Sequence, residues 1–512
     1  MHRDTPGSFA PRYPRPFTFV GVTLLCAVTF VIGMTTPWSS AQTTTTGGQA
    51  PATPATSNTN KKTTTTAGAT TTTTPGQQGC PAPDPNLYPF GVVCGRDYNV
   101  PSPPESPSLV PTFTTKTTTR IWGTDPFQEA VSVTQHEWPA VIPENAPGET
   151  DNVPDRPWGV TLITPDDPLQ GISAVPLVHF PDDAPILFVT KDGIPQVTLN
   201  ELKRLGDTGI VRANNVDAFL VGDASNAAVM SQLTAIGMAF VSVTGSDVFE
   251  LSNNIDKLYG SIQNPAEGVP QMGVSASSSG NGMQDVFIGS ADGNDWQFYL
   301  PATHWSAHMP TALLWVHKDS IPGPTIDALK RRAGHALIYV WGGADQFSPS
   351  VIKQLNTYGA VQPIDADDPV AFNTPATTTP ENIAVAFAKM WDPTGNVGWN
   401  ILGPGHGFTL VNINNWQGAV ASAPLSHLGF HAPLLVTDNS GTLPAEVEAY
   451  YKAVAPTFIT TPADGPYNMT YAIGDFTKIT WPLQAHIDYI SEMSNRRVWN
   501  TTTGSRYTDS QP

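Results

Sequence analysis

Short apolar runs alternate with helical patterns along the chain from Arg120 onward, and the apolar runs predict buried strands. These runs lie at Trp158–Thr164, Ala184–Thr190, Val216–Gly222, Val286–Gly289, Ala312–His317, Ala336–Gly342, Trp399–Gly403, Pro433–Thr437 and Tyr471–Gly474. Apolar residues at helical spacing stand between or ahead of them, at Phe127–Thr134, Leu199–Leu205, Ala227–Ile236, Leu251–Ile262 and Glu381–Trp391. Such alternation is typical of parallel βαβ units, so we predict an α/β fold.

The same pattern occurs more than once along the chain. Val189–Arg204 and Val316–Arg331 match at nine of sixteen positions, and Gln232 recurs as Gln354 at nearly the same offset. A third and more diverged copy begins near Ile364. We therefore predict three tandem repeats over residues 120–243, 244–363 and 364–494, followed by a tail over 495–512.

Several of these blocks resemble a known family. The segment Arg120-Ile-Trp-Gly-Thr-Asp-Pro-Phe-Gln-Glu-Ala resembles the opening of the second type of cell wall-binding repeat, and Ala432–Thr437 is similar to that family's next strand. Trp341-Gly342-Gly343 resembles its hydrophobic-Gly-Gly turn. Arg120 to Ser494 is thus similar to three divergent tandem copies. The resemblance implies Rossmann-like βαβ modules in a pseudo-threefold arrangement that bind a secondary cell-wall polymer non-covalently.

This chain departs from the family pattern in two places. Pro126 and Val248 stand where the family has a basic residue in its opening block. The family also has an aspartate in the loop after its first strand, and no single alignment identifies its counterparts here. The candidates are Asp166, Asp167 or Gln170 in the first copy, Asp295 in the second, and Asn415 or Gly418 in the third.

The N-terminus predicts export. An apolar run from Phe17 to Met34 follows Arg3, Arg12 and Arg15. Residues 1–41 fit both a signal peptide and a signal anchor, and the small residues Ser39-Ser40-Ala41 favour cleavage. In both cases we expect the rest of the chain at the cell surface or outside the cell. Membrane contact is then expected only through the apolar run, if it stays uncleaved.

Residues 42–119 read as a Thr- and Pro-rich linker. This composition cannot bury enough apolar surface to offset its ordering entropy, so we expect a disordered stalk. Cys80 and Cys94 lie within it and close a short loop. In an oxidising compartment such a pair predicts a disulfide.

The charge balance excludes some partners. The chain has 25 Lys and Arg against 43 Asp and Glu, a formal net charge of −18. Nucleic-acid binding depends on Lys and Arg displacing counterions, so we expect no nucleic-acid partner. The same balance argues against binding to anionic lipid through a polybasic segment.

Motifs for catalysis are incomplete. Ser350 and Lys353 have the SxxK spacing of penicillin-recognising acyl enzymes, but the sequence has no SDN- or KTG-like element. The loop Gly403–Gly407 follows a predicted strand, yet its spacing is GxGxG rather than the GxGxxG of dinucleotide sites. No GxSxG nucleophile elbow occurs.

Two histidine pairs have the i, i+4 spacing of zinc ligands: His304 with His308, and His427 with His431. Neither pair belongs to an HExxH motif or has a carboxylate in a fixed third position, so packing is the better interpretation. We expect no enzyme activity, no metal site of this kind and no cofactor.

Three kinds of residue are candidates for ligand contact. An aromatic face beside an amide suits a sugar ring, a lysine at a strand end suits a phosphate or carboxylate, and loop carboxylates suit a bridging divalent cation. These candidates are Trp296, Gln297, Trp416 and Gln417 for the sugar, Lys191 and Lys318 for the anion, and Asp292 and Asp295 for the cation.

The functional hypothesis is a non-catalytic cell-surface protein that binds a cell-wall polysaccharide or secondary wall polymer through its three repeats. Two alternatives remain open at this point. One is a secreted hydrolase acting on wall or polysaccharide, with the repeats as its scaffold. The other is a structural surface-display protein with no glycan ligand.

Overall fold

The computed structural model describes most of the chain after residue 112. The described residues are 113–140, 156–179, 183–207, 209–210, 213–263, 285–309, 311–364, 378–392, 397–428, 431–456 and 467–492, with the backbone of 92–93, 499–500 and 505–506. The expected signal segment, Cys80 and Cys94 lie outside these ranges. No helix within them is long and apolar enough to cross a membrane.

Strands and helices alternate throughout the described residues. The strands are β1 (Val92–Val93), β2 (Phe113–Thr114), β3 (Thr118–Ile121), β4 (Val160–Ile163), β5 (Ile186–Phe188), β6 (Ala218–Val221), β7 (Phe240–Val243), β8 (Asp285–Ser290), β9 (Ala312–Val316), β10 (Ala336–Trp341), β11 (Gly359–Ile364), β12 (Gly407–Asn412), β13 (Leu434–Thr437), β14 (Met469–Ile473), β15 (Trp499–Asn500) and β16 (Ser505–Arg506). The helices are α1 (Pro126–Glu137), α2 (Pro168–Ala174), α3 (Gln196–Leu205), α4 (Ala227–Ala235), α5 (Val248–Gln263), α6 (Trp296–His308), α7 (Gly323–Lys330), α8 (Pro349–Leu355), α9 (Pro380–Lys389), α10 (Trp416–Ala421), α11 (Ala445–Val454) and α12 (Trp481–Ser491).

Three larger sheets share one strand order. Sheet one runs β5-β4-β6-β7, sheet two β9-β8-β10-β11, and sheet three β13-β12-β14-β3, and all these neighbours are parallel. Two short strands add antiparallel edges, β1 on β7 and β2 on β3. The α/β class and the parallel sheets predicted from the sequence are therefore confirmed.

The last strand of sheet three comes from near the beginning of the described residues. Thr118 pairs with Thr470 and Ile121 with Ile473, so β3 lies beside β14. Residues 113–119, expected to belong to the linker, instead form β2 and the start of β3. The α/β unit thus includes residues ahead of the expected boundary at Arg120.

Apolar residues on both faces of the strands explain why these segments are parallel strands. In β8, Phe287 faces the main core, while Val286 and Ile288 face a second apolar cluster on the other side of sheet two. Strands buried on both faces are typical of parallel sheets covered by helices. The main core also contains Leu162 of sheet one and Leu410 of sheet three. One core therefore joins the three sheets.

The helix that follows the first strand of each sheet packs near the middle of the unit. These helices are α2, α6 and α10, and they contact one another. His304 of α6 is fully buried, with its Nδ1 2.5 Å from Ser426 Oγ and its Nε2 3.2 Å from Ser422 Oγ. Trp315 of β9 donates to Ser173 Oγ of α2 at 2.8 Å. Side chains that belong to sheet two thus bond to the segments of both sheet three and sheet one.

One predicted strand was wrong. Residues 399–403 do not pair with a strand, because their backbone bonds to the end of α9: Trp399 N–H donates to Phe387 O, and Ile401 N–H donates to Ala388 O. The first strand of sheet three is β12 instead. The glycine-rich loop Gly403–Gly407 consequently lies at the amino end of β12, opposite the edge where a phosphate-binding loop would stand.

Candidate glycan-binding site

The candidate ligand residues lie at the carboxyl ends of the strands. Trp296 and Trp416 are the first residues of α6 and α10. The N-cap residues of α2, α6 and α10 are Asp167, Asp295 and Asn415. Among the candidates that the sequence left open, these three share one position, directly before a helix.

Asp295 is held by protein donors. Ser290 Oγ donates to its Oδ2 at 2.7 Å, and Gln346 Nε2 donates to its Oδ1 at 3.2 Å. Gln346 in turn accepts from Gly343 N–H at 3.0 Å. This chain of bonds connects the end of β8 to the turn after β10 through Asp295.

Two glutamines connect the carboxyl edges of different sheets. Gln297 Nε2 lies 3.4 Å from Asn414 Oδ1 in the turn after β12. Gln417 Nε2 donates to Pro165 O, after β4, at 3.0 Å. The loops that follow the first strands of the three sheets therefore adjoin, and both predicted glutamines lie where they meet.

The two predicted tryptophans differ in burial. Trp296 is half-buried and rests with one side on the main core. Trp416 is only 6% exposed, and a Cβ added to Gly171 would lie 2.3 Å from its ring. The Trp416 ring also meets Phe188 edge-on at 6.0 Å between centroids. Trp416 is thus a core residue in this structure, whereas Trp296 keeps part of its ring at the surface.

The predicted lysines lie in matching turns at the ends of the second strands. Thr190 bridges Gly193 around Lys191, and His317 bridges Ser320 around Lys318. Lys191 is exposed and Lys318 is half-buried. The Lys318 backbone N–H, rather than its ammonium, donates to Asp292 Oδ2 at 2.8 Å.

Asp292 also accepts from protein groups. His317 Nδ1 lies 2.6 Å from its Oδ1. Burial alone would raise the pKa of Asp292, but the bonds from the Lys318 backbone and from His317 hold that pKa below its ordinary value. Within the described residues, no group of three or more His, Cys, Asp or Glu side chains could hold a metal ion.

Sequence reasoning missed a buried carboxyl group at this edge of sheet three. Glu129 of α1 is 5% exposed and accepts from Asn415 Nδ2 at 2.7 Å. Burial raises the pKa of Glu129 to about 7, although the bond from Asn415 lowers it. Comparison of the repeats could have identified it. At the position four residues after the N-cap of the leading helix, the first copy has Glu129, whereas the other two copies have the apolar residues Leu251 and Ile383.

The other motifs have structural roles in the described chain. Burial lowers the pKa of His304 to about 3, so its ring stays neutral between two serine hydroxyls. His308 and His431 face each other with their Nδ1 atoms 3.1 Å apart. Ser348 caps α8 by accepting from Val351 N–H, and Ser350 bonds to Ser348.

Comparison with known proteins adds a likeness of fold. No family model and no curated protein sequence matches the chain. The structure of Cwp6 from Clostridium difficile is similar, with a TM-score of 0.54 and 18% identity over 80% of this chain and 53% of that one. Cwp8 from Clostridium difficile is similar with a TM-score of 0.50 and 15% identity, over 74% of this chain and 52% of that one. This chain spans about half the length of both. At such identity the likeness shows the fold alone.

Proposed function

We propose that this chain is a non-catalytic cell-surface protein that binds a cell-wall polysaccharide or secondary wall polymer through three repeats. The observation that carries the proposal is the meeting of the three carboxyl edges, made by Gln297 with Asn414 and by Gln417 with Pro165. Open α/β sheets bind ligands outside the carboxyl ends of their strands. Three such edges brought together provide one extended binding surface.

The fold supports a location at the cell surface. Cwp6 and Cwp8 are cell wall proteins of Clostridium difficile. Their likeness to this chain agrees with the resemblance of its blocks to cell wall-binding repeats, and the shared strand order of the three sheets fits three copies of one module. The export signal expected at residues 1–41 would deliver the chain to that location.

Short-range sugar recognition fits the chemistry of this surface. The half-buried ring of Trp296 can stack on the apolar C–H face of a sugar, and Gln297, Asn414 and Gln417 can bond to its hydroxyls. The net charge of −18 opposes an anionic polymer at long range. Beyond a Debye length of about 8 Å that repulsion is largely screened at physiological salt, so it does not prevent contact at a stacking site.

A pull-down with purified cell-wall fractions of the source organism tests the proposal. We expect the intact protein to sediment with the wall, and Trp296→Ala to reduce the bound fraction about tenfold. Trp391→Ala is the matched control, because Trp391 is 49% exposed and lies just after α9. Trp416 is unsuitable for this purpose, since replacing a core ring tests folding rather than ligand contact.

Binding assays in high salt and in EDTA distinguish sugar stacking from binding through lysines or through a bridging cation. Sugar stacking predicts nearly the same binding at low and high salt, and in the presence of EDTA. Binding that collapses in salt would point to Lys191 and Lys318, and binding that collapses in EDTA would point to a cation held by Asp292 and Asp295. Either collapse, or full binding by Trp296→Ala, would refute stacking at this edge.

A further inference from the structure

Four aromatic rings gather at the outer edge of sheet three. Phe113 and Trp122 have centroids 5.9 Å apart, Phe113 and Phe476 5.7 Å, and Phe476 and Trp481 6.0 Å. Phe113 is 38% exposed, Phe476 40% and Trp481 47%, while Trp122 is half-buried. We call these four residues the aromatic edge. They form a continuous row of rings that is open to solvent.

Regular elements hold each ring in place. Phe113 lies on β2 and pairs with Arg120 of β3, and Trp122 directly follows β3. Phe476 lies in the turn after β14, and Trp481 is the first residue of α12. Phe113 lies on a strand, Trp481 at a helix start, and Trp122 and Phe476 in the segments directly after two strands. Since none of the rings stands on a long loop, a ligand would have little to order, which lowers the entropic cost of binding.

The buried guanidinium group of Arg120 packs against one ring of the aromatic edge. Arg120 is fully buried, and its guanidinium donates to Gln484 Oε1 at 2.9 Å, Gly474 O at 2.7 Å and Asp475 O at 3.0 Å. Its Cζ lies 4.3 Å from the centroid of Phe476. This cation–π contact orients the Phe476 ring. It also places a fixed positive charge against the ring, which disfavours a cationic ligand such as a quaternary ammonium group.

The rings of α12 and its preceding turn are additions to the common scaffold. In each sheet a glycine with positive φ directly follows one strand, namely β6, β10 or β14. Two residues after that glycine, sheets one and two have Ala224 and Ala344, whereas sheet three has Phe476. At the first position of the next helix they have Ala227 and Pro349, whereas sheet three has Trp481. The fold therefore does not require an aromatic ring at either place. Exposed contiguous apolar surface of this kind marks a binding site.

We propose that the aromatic edge is a second carbohydrate-binding surface, separate from the site at Trp296, which takes a neutral sugar chain by stacking successive rings on Phe113, Phe476 and Trp481. Asp475 and Thr477 flank Phe476 in sequence and supply acceptor oxygens for sugar hydroxyls. The acidic chain disfavours an anionic ligand and Arg120 disfavours a cationic one. A neutral glycan has an apolar face for the rings and hydroxyls for their rim.

Affinity electrophoresis of the full-length protein tests this surface. The probes are gels that contain dextran, amylose, mannan, galactan or arabinan. We expect at least one neutral polysaccharide to retard the protein, and Phe476→Ala with Trp481→Ala to weaken that binding about tenfold. Both replacements approach residues that the other two sheets already have, so folding should persist, and the unfolding midpoint of the double variant checks this. Tyr467→Ala is the control, because Tyr467 is 46% exposed outside the row.

The outcomes distinguish this surface from the central site. The double variant should keep the wall binding that Trp296→Ala reduces, so the two sites can fail independently. The proposal is overturned if no gel retards the protein, or if the double variant is retarded as strongly as the wild type. It is also overturned if the row instead binds phosphocholine or neutral phosphatidylcholine vesicles, or if the double variant differs only by losing self-association in sedimentation velocity.

Discussion

Asn415 donates a hydrogen bond from its side-chain amide to Oε1 of Glu129 at 2.7 Å, across 286 residues of sequence. The bond joins α1, which follows the closing strand of sheet three, to the start of α10, which follows the first strand of the same sheet. Burial at this junction raises the pKa of Glu129 to about 7. The carboxyl group is therefore a source of pH dependence within the core.

We expect Glu129→Gln to stabilise the protein above pH 7. The folded pKa of Glu129 lies above its unfolded value of about 4.5, so its stabilisation is fully present below pH 4.5 and is lost as pH rises through 7. Glutamine keeps the acceptor for Asn415 without ionising. The free energy of unfolding should exceed that of the wild type by roughly 3 kcal/mol at pH 8 and by little at pH 4.

Urea unfolding at pH 4, 6 and 8 measures this difference. Glu250→Gln is the control, because Glu250 is only partly buried and its pKa is lowered by the Ser246 hydroxyl and backbone rather than raised. If wild type and Glu129→Gln lose stability in parallel across this range, the ionisation of Glu129 does not determine the pH dependence.

Gly418 allows the Glu129–Asn415 bond to form. A Cβ at this position would lie 2.1 Å from Glu129 Oε1 and 2.4 Å from Asn415 Nδ2. Gly418→Ala should therefore cost about 1–3 kcal/mol through overpacking. In the Glu129→Ala background its cost should shrink, and a double-mutant cycle measures that coupling. Gly323→Ala is the control, since nothing lies within 4 Å of a Cβ there, and equal costs at both glycines would count against the argument.

Asp256 of α5 forms ion pairs with two arginines, Arg331 and Arg332, which directly follow α7. It accepts from Arg331 Nη2 at 2.6 Å and from Arg332 Nη1 and Nη2 at 2.9 and 2.8 Å. Burial alone would raise the pKa of Asp256, but the two guanidinium groups bring it to about 2. Asp256→Asn should cost about 3–5 kcal/mol, because it removes the buried carboxylate to which both guanidinium groups donate.

The contribution of Asp256 also has a pH window. Because its folded pKa lies below 3.8, its stabilisation is present above pH 3.8 and disappears as pH falls through 2. Denaturant unfolding at pH 7 and pH 3 would show the variant and the wild type converging at low pH. Asp327→Asn, at an exposed position of α7, should change little at either pH. A cost that stays constant down to pH 2 would contradict the charge argument.

Removal of β2 and β3 should destabilise the whole unit. A chain that begins at Phe113 keeps both strands, whereas one that begins at Trp122 loses the fully buried Arg120 and Ile121. We expect the shorter chain to lose at least about 4 kcal/mol, from the deleted core side chains and the carbonyls that Arg120 satisfies. Thermal unfolding and circular dichroism compare the two chains, and equal midpoints would mean that β3 is dispensable.

The sequence predicted those parts of the fold that depend on local pattern. Strands such as Ala312–Val316 and Ala336–Trp341 are apolar runs between turn residues, and the structure has them almost as predicted. Trp399–Gly403 is also largely apolar, but Ile401 reaches the core from a loop segment that bonds to α9. An apolar run shows burial and does not show which backbone partner it has.

The candidate site was harder to derive, because it depends on contacts between distant segments. Trp296-Gln297 and Trp416-Gln417 look equivalent in sequence, yet the Trp416 ring lies over Gly171 of α2 and is buried. Only the packing of α2 on α10 determines that difference. Phe113 was assigned to the linker for a similar reason: its neighbours are Pro, Ser and Thr, and its partner Phe476 lies more than 300 residues away.

The closing strand also determines when the fold can be completed. A chain that is synthesised from its N-terminus presents β3 long before β14, its partner in the parallel ladder. Sheet one can assemble from consecutive residues, but sheet three must wait for nearly the whole described chain. Contacts of such long sequence separation are slow to form. Until then β3 has an unpaired edge, which makes the interval between emergence and closure the period of greatest risk for misassembly.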